Sequence, residues 1–211
     1  MTTIKPAFTE YQDLERYGYL LEKIDEWEGG QAQALAEWLI EHFHPKSVVD
    51  IGCASGLYLL PFMAQGIEIF GMDGAPQAGS KLSPEWYRRW DFRKPFAMAE
   101  TADLCLCLEV AEHIEEPFAD EFIRSLVTVS NRIVFSAATP GQGGEGHYNE
   151  NTQSYWLEKF ARYGFELDPL NEEFHAFVAK NEHQWFHPWL INNGVILYLP
   201  PLDNVEDDND D

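Results

Sequence analysis

The segment Val48-Val49-Asp50-Ile51-Gly52-Cys53-Ala54-Ser55-Gly56 runs an apolar strand, closed by an acid, straight into a glycine-spaced turn. Gly52 and Gly56 lack a Cβ, so the backbone there can turn sharply and approach a ligand closely. Asp50 stands at the carboxyl end of the strand, where an open α/β sheet places its binding crevice. The G-x-x-x-G interval departs from the dinucleotide fingerprint G-x-G-x-x-G, which needs glycine where this chain has Ala54 and Leu57. The turn therefore predicts a nucleoside-bearing cofactor rather than one bound through a pyrophosphate.

A helix-compatible stretch, Leu57 to Gln65, leads to a second strand, Ile67 to Asp73, so that a second acid closes a second strand. Asp73 lies roughly 20 residues beyond the first turn, where a carboxylate can accept bonds from ribose hydroxyls. Asp91-Phe92 follows an apolar and aromatic stretch and can pair a carboxylate with an adenine amino group beside an aromatic face. Ala102 to Val110 reads as a buried strand leading into Ala111-Glu112-His113-Ile114.

Taken in order, these motifs resemble the class I S-adenosylmethionine-dependent methyltransferases, in particular the small-molecule branch whose fourth motif reads E-x-x-E-H-I, here Glu109 to Ile114. The resemblance covers roughly residues 35 to 200. It implies S-adenosylmethionine as cofactor and a Rossmann-like α/β fold: a seven-stranded, mostly parallel sheet with helices on both faces and an antiparallel last strand between strands five and six. It further implies that Asp50, Gly52, Ala54 and Gly56 line the methionine part of the cofactor and that Asp73 holds the ribose. Asp91 and Phe92 would face adenine, with Gly74 and Glu109 completing the cofactor set. The chain departs from the pattern at Cys53-Ala54-Ser55, where many relatives carry a third glycine.

Composition fits one domain over 1–202: 211 residues, 45% hydrophobic and 14% aromatic, bury a substantial core without disulfides. Cys53, Cys105 and Cys107 fall in strand or strand-end positions and match neither a disulfide framework nor a zinc spacing, which favours reduced core thiols and a cytoplasmic protein. Met1 to Phe8 lack the apolar core of a signal peptide, and no apolar run approaches the roughly 20 residues of a membrane helix, so no membrane partner is expected. With 36 acidic against 14 basic residues, the formal charge of −22 repels nucleic-acid phosphates and disfavours such substrates. Six of the acids crowd into 203–211, which reads as a solvated, disordered tail.

Apolar residues at Leu14, Tyr17, Leu20, Leu21 and Ile24 predict an N-terminal helical cap over 1–30, stopped by Gly29-Gly30, and a second helix from about Gln31 to Phe43. Tyr11, Tyr17 and Tyr19 either touch the cofactor or, as the preferred reading, pack on the sheet. Arg132 to Ala138 reads as a fifth strand, and alternation of strands with helices argues for a parallel sheet covered on both faces. The stretch 139–150, with four glycines around His147, Tyr148, Asn149 and Glu150, is too glycine-rich for regular structure and is read as a substrate loop at the carboxyl end of that strand. A helix from Thr152 to Tyr163, a sixth strand at Phe165 to Leu167 and a final strand at Gly194 to Leu199 close the chain. Between the last two strands, 171–193 carries Phe174, His175, Phe177, His183, Trp185, Phe186, His187 and Trp189, either a cap on a substrate pocket or ordinary helical packing.

Methyl transfer needs an acceptor held in line with an electrophilic sulfonium and a way to lose the acceptor's proton. His147 is the favoured base and His113 its pocket-lining partner, because imidazole titrates near neutral pH. Tyr148, Asn149 and Glu150 are the substrate-binding candidates for a small-molecule, sugar or lipid-linked acceptor, methylated on oxygen or nitrogen. Glu112, His113, His147 and Glu150 carry metal-ligating atoms, but no fixed spacing marks them as a set, so no metal is expected. Two other functions compete: a catalytically silent, methyltransferase-like binding subunit for a partner protein, and a nucleotide-cofactor dehydrogenase, the latter disfavoured by the glycine spacing.

Overall fold

The computed structural model describes residues 14–181 and 186–201. Seven strands form one sheet: β1 (Ser47–Ile51), β2 (Glu68–Asp73), β3 (Tyr87–Arg89), β4 (Leu104–Leu108), β5 (Arg132–Ser136), β6 (Glu166–Leu167) and β7 (Val195–Tyr198). Their order is β3-β2-β1-β4-β5-β7-β6. Neighbours pair in parallel except β7, which runs antiparallel between β5 and β6 as expected. From β1 the chain winds outward to β3, then returns to place β4 on the other side of β1, so the strand order reverses between β1 and β4. The crevice outside the carboxyl ends of those two strands is where a doubly wound sheet binds ligands.

Both faces of the sheet are buried, and the period-two alternation of a strand divides the core between them. Cys105 and Cys107 of β4 join Phe122, Trp156 and Phe160, from α3 (Glu116–Leu126) and α4 (Gln153–Ala161), on one face. Leu104 and Leu106 join Leu35, Trp38, Phe174 and Leu190 on the other. Those come from α1 (Leu14–Phe43), α5 (Asn171–Lys180) and α6 (Pro188–Asn193); α2 (Leu60–Ala64) is a short helix after the glycine turn. The three cysteines are buried free thiols. Much of the aromatic segment is therefore helical packing: Phe177 stacks on Trp38, Phe174 packs tilted against it, and Phe186 packs edge-on against Phe177. His183, Trp185, Tyr11 and the acidic 203–211 stretch lie outside the described residues. Among the described residues no helix is long and apolar enough to cross a membrane.

Gly29-Gly30 does not stop the first helix. α1 continues through both glycines for 30 residues. Each interior glycine costs about 1 kcal/mol relative to alanine, but the helix is fastened on either side of the pair. Ala32, Leu35, Ala36 and Leu39 are buried after it, and Asp25 and Glu28 are hydrogen-bonded across to Ser55 and Tyr58 before it. Tertiary contacts override the local signal.

Two glycine substitutions should act in opposite directions. A Cβ on Gly29 meets nothing within 4 Å, so Gly29→Ala should stabilise the chain by about 0.5–1 kcal/mol. Gly52 adopts φ +87° and a Cβ there would lie 2.1 Å from Val110 Cγ2, so Gly52→Ala should destabilise by more than the ~1–2 kcal/mol of left-handed strain alone. Gly66, at φ +75° with open space around it, isolates the strain without the clash. Urea denaturation of the three alanine variants checks both the signs and the ranking Gly52 above Gly66.

Candidate functional site

The glycine turn is tied to β2 by the amides of Gly52 and Cys53, which both donate to Met72 O at 2.7 and 3.0 Å. Gly56, at φ +93°, passes against Leu82, where a Cβ would sit 2.5 Å from Cγ. Ala54, standing where relatives carry the third glycine, adopts the same left-handed region at φ 47°. An alanine is thus accommodated in the turn, at a cost of about 1–2 kcal/mol. Ala54 N–H donates to Asp73 Oδ2 at 2.9 Å and Ala75 N–H to Oδ1 at 2.8 Å, so the acid ending β2 braces the turn that follows β1.

Burial raises the Asp73 carboxyl to about 6, moderated by the amides of Ala75 and Ala54. Burial, with repulsion from Asp73, raises Asp50 to about 8. Gly74 accepts from Arg89 Nε through its carbonyl at 3.1 Å. Asp91 is held by Arg93, with Nε to Oδ1 and Nη2 to Oδ2 both at 2.9 Å, and that hydrogen bonding lowers its pKa. The Phe92 ring packs edge-on against Phe96 and Phe122 in the core. The Asp91 carboxylate and the Phe92 ring thus have protein partners already.

The middle of α1, from Asp25 to Gln31, lies over the turn. Ser55 Oγ donates to Asp25 Oδ1 at 2.6 Å, Lys81 Nζ pairs with Asp25 Oδ2 at 3.1 Å, and Tyr58 donates to Glu28 Oε2 at 3.0 Å. Gln31 donates from Nε2 to the Tyr58 hydroxyl and accepts from His187 N–H at 2.7 Å. Burial raises Glu28, and repulsion from Glu109 adds to it. Nothing in the helical pattern distinguishes Asp25 and Glu28 from ordinary surface acids, which is why sequence reasoning passes over them.

At the carboxyl end of β4, Glu109 takes φ 53°, a left-handed conformation uncommon outside glycine and often stored at functional sites. Its N–H is held by Ser136 at 3.1 Å, and its Oε2 accepts from Gln142 Nε2 at 2.6 Å. Asn193 Nδ2 donates to Gln142 Oε1 at 2.8 Å, fixing that amide from α6. A single 3-10 turn, Ala111–His113, then presents Glu112 and His113. Glu112 is 0% exposed, and neither carboxylate oxygen has a hydrogen-bond partner. Burial and the neighbouring Glu109 raise it to about 8; the amides of Glu112 and Ala138 offset this only in part, without hydrogen-bond geometry. His113 donates Nδ1–H to Gly146 O at 3.0 Å, and burial with His147 nearby lowers it to about 4, so it is neutral at neutral pH.

The 139–150 loop folds back on this turn. Tyr148 and Asn149 N–H donate to Glu112 O at 2.9 and 3.0 Å. Glu150 accepts from Gly141 N–H at 2.8 Å, Gly143 N–H at 2.7 Å and His147 Nδ1–H at 3.0 Å. A Cβ on Gly144 would lie 2.2 Å from His147 Nε2, so the imidazole would have to move to admit one. The two imidazoles meet edge to face, centroids 5.0 Å apart. Ligand-capable atoms of Glu112, His113 and His147 all fall within 4.8 Å of one another, so three of the four scattered metal-ligating residues form a set although their spacing in the chain hides it. Glu150, expected to bind substrate, has its carboxylate engaged in bracing the loop. Asn149 is buried, while Tyr148 is 45% exposed.

A methyltransferase-domain family profile matches residues 25–187. Among curated proteins, a ubiquinone biosynthesis O-methyltransferase from Cereibacter sphaeroides is 34% identical over 85 residues, 36% of this chain and 34% of its own. The chain aligns with only a third to a half of the length of the curated relatives it matches. Among solved structures, the plantazolicin methyltransferase BpumL, in complex with a triazolic desmethylPZN analog and SAH, superposes with a TM-score of 0.63 at 14% identity, covering 92% of this chain and 95% of that one. The sugar N-methyltransferase KedS8 from Streptoalloteichus gives 0.62 at 14% identity over 87% and 93%. These likenesses show the same fold. With the profile spanning the glycine turn, β4 and the folded-back loop, the chain belongs to the methyltransferase-domain family, with the class I fold of S-adenosylmethionine-dependent enzymes.

Proposed function

We propose that the chain transfers a methyl group from S-adenosylmethionine to oxygen or nitrogen of a small-molecule acceptor. The observation that carries this is the convergence of Asp50, Asp73 and Glu109 on the crevice between β1 and β4, around a turn kept free of side chains at Gly52 and Gly56. Burial raises all three carboxyls, and Glu28 with them, so the crevice favours a guest bearing positive charge. A sulfonium with an α-amino group is such a guest. In this reading Asp73 accepts from the ribose hydroxyls, Asp50 and the turn flank the methionine part, and Asp91 and Phe92 border adenine. The acceptor enters beside Glu112, His113 and His147, and loses its proton at that cluster. The protein's main work is to hold acceptor and sulfonium in line.

Calorimetry with the methyl donor and its demethylated product should give stoichiometric binding, with none for NAD; absence of donor binding would leave only the silent-subunit alternative. Asp73→Asn should weaken donor binding by about 1.5–3 kcal/mol, roughly tenfold to a hundredfold, because it removes a charge-assisted acceptor. Donor hydroxyls bind the ionised carboxylate, whose pKa in the free protein is about 6. The Asp73 contribution to affinity should therefore rise with pH up to about 6, level off above it, and be lost in Asp73→Asn.

A further inference from the structure

We propose that Glu112, His113 and His147 bind one divalent cation of borderline character, such as Zn2+ or Mn2+, which holds the acceptor as an oxygen ligand. The donor set is two imidazoles and a carboxylate, a combination suited to such ions and able to leave coordination positions open. Two features beyond proximity support it. Glu112 is wholly buried with both oxygens unpaired, and polar atoms buried without a partner are costly, a cost that a bound cation would remove. Both imidazoles also have fixed tautomers. His113 Nδ1 faces the carbonyl of Gly146 and His147 Nδ1 the carboxylate of Glu150, partners that only accept, so each Nδ1 carries the proton and each Nε2 the lone pair. Metal-bound histidines are commonly oriented by such an outer hydrogen bond.

Ligand-capable atoms of the three residues lie within 4.8 Å of one another, against roughly 3.4 Å between two atoms bonded to one tetrahedral Zn2+ at about 2.0–2.2 Å. Binding therefore requires the side chains, His147 on its loop above all, to draw inward by about an ångström. Glu112 and His113 belong to the turn after β4, whereas His147 is carried by the loop, so the cation would fasten the loop to the sheet. Glu109 is engaged by Gln142 and is left out of the set.

The chemical consequence rests on the methyltransferase reading and narrows it to hydroxyl acceptors. An acceptor R–OH that coordinates the cation becomes acidic enough to release its proton to solvent. A lone pair of the bound oxygen then forms the bond to the sulfonium methyl carbon. The carbon–sulfur bond breaks with its electron pair going to sulfur, giving R–OCH3 and a neutral thioether.

The test is calorimetric titration of the full chain, stripped with a chelator, with Zn2+, Mn2+ and Mg2+, each variant's fold being checked by thermal melting. About one equivalent of Zn2+ or Mn2+ should bind the parent chain; His147→Ala and Glu112→Gln should abolish binding, and Glu150→Gln should weaken it about 10–100-fold. His42→Ala, on the far part of α1, should change nothing. No saturable binding of Zn2+ or Mn2+, or binding that survives both His147→Ala and Glu112→Gln, overturns the proposal. Donor binding measured on the same stripped protein keeps the two readings separate, since either can fail while the other stands.

Discussion

The architecture of the crevice depends on a steric constraint, the passage of the β1 turn beneath Val110 and Leu82 with no side chain in the way. A Cβ at Gly52 or Gly56 would lie 2.1 or 2.5 Å from those residues. Because the turn fits, its amides reach Met72 O, and Ala54 reaches Asp73, so the ends of β1 and β2 are locked together. Val110 in turn follows Glu109, whose left-handed backbone starts the turn that carries Glu112 and His113. One close approach therefore links the donor side of the crevice to the acceptor side.

That linkage concentrates buried acids, and the cost is readable in their titration. Asp50 and Glu112, both pushed to about 8, bind protons more tightly in the folded chain than in the unfolded one. Each therefore removes stability as pH rises from the unfolded value near 4 toward about 8. A structural core has no reason to carry such groups. A binding site does, because a cationic guest that meets only the folded state returns stability by mass action.

Much of the fold was legible because the signals that define it are local. Strands β1, β2, β4, β5 and β7 appear as apolar runs whose expected ends fall within two residues or so of those observed. The acids closing β1 and β2 follow from the same reading. Gly29-Gly30 misled because propensity is weak beside the burial of Leu35 and Leu39 and the ties from Asp25 and Glu28. The contacts that tie Asp25 and Glu28 to Ser55 and Tyr58 are invisible in sequence because they depend on how α1 crosses the sheet. Likewise His147 lies in a different segment from Glu112 and His113. Only the folding of the loop onto the Glu112 carbonyl makes them neighbours.

The two sides of the crevice are consequently built in different ways. The donor side is made of strand ends and the turn between them, so its geometry is inherited from the parallel sheet and changes little without breaking the fold. The acceptor side is half scaffold and half loop, the loop being held by a small number of replaceable bonds through Glu150, Gln142 and the Glu112 carbonyl. In the proposed function, binding energy spent on the donor can therefore stay constant while the loop is free to vary with the acceptor. In this chain the loop brings an imidazole, rather than a cation or an apolar side chain, to an unpaired buried carboxylate. On the proposed cation site, that choice of residue is what would turn the crevice toward acceptors that present an oxygen.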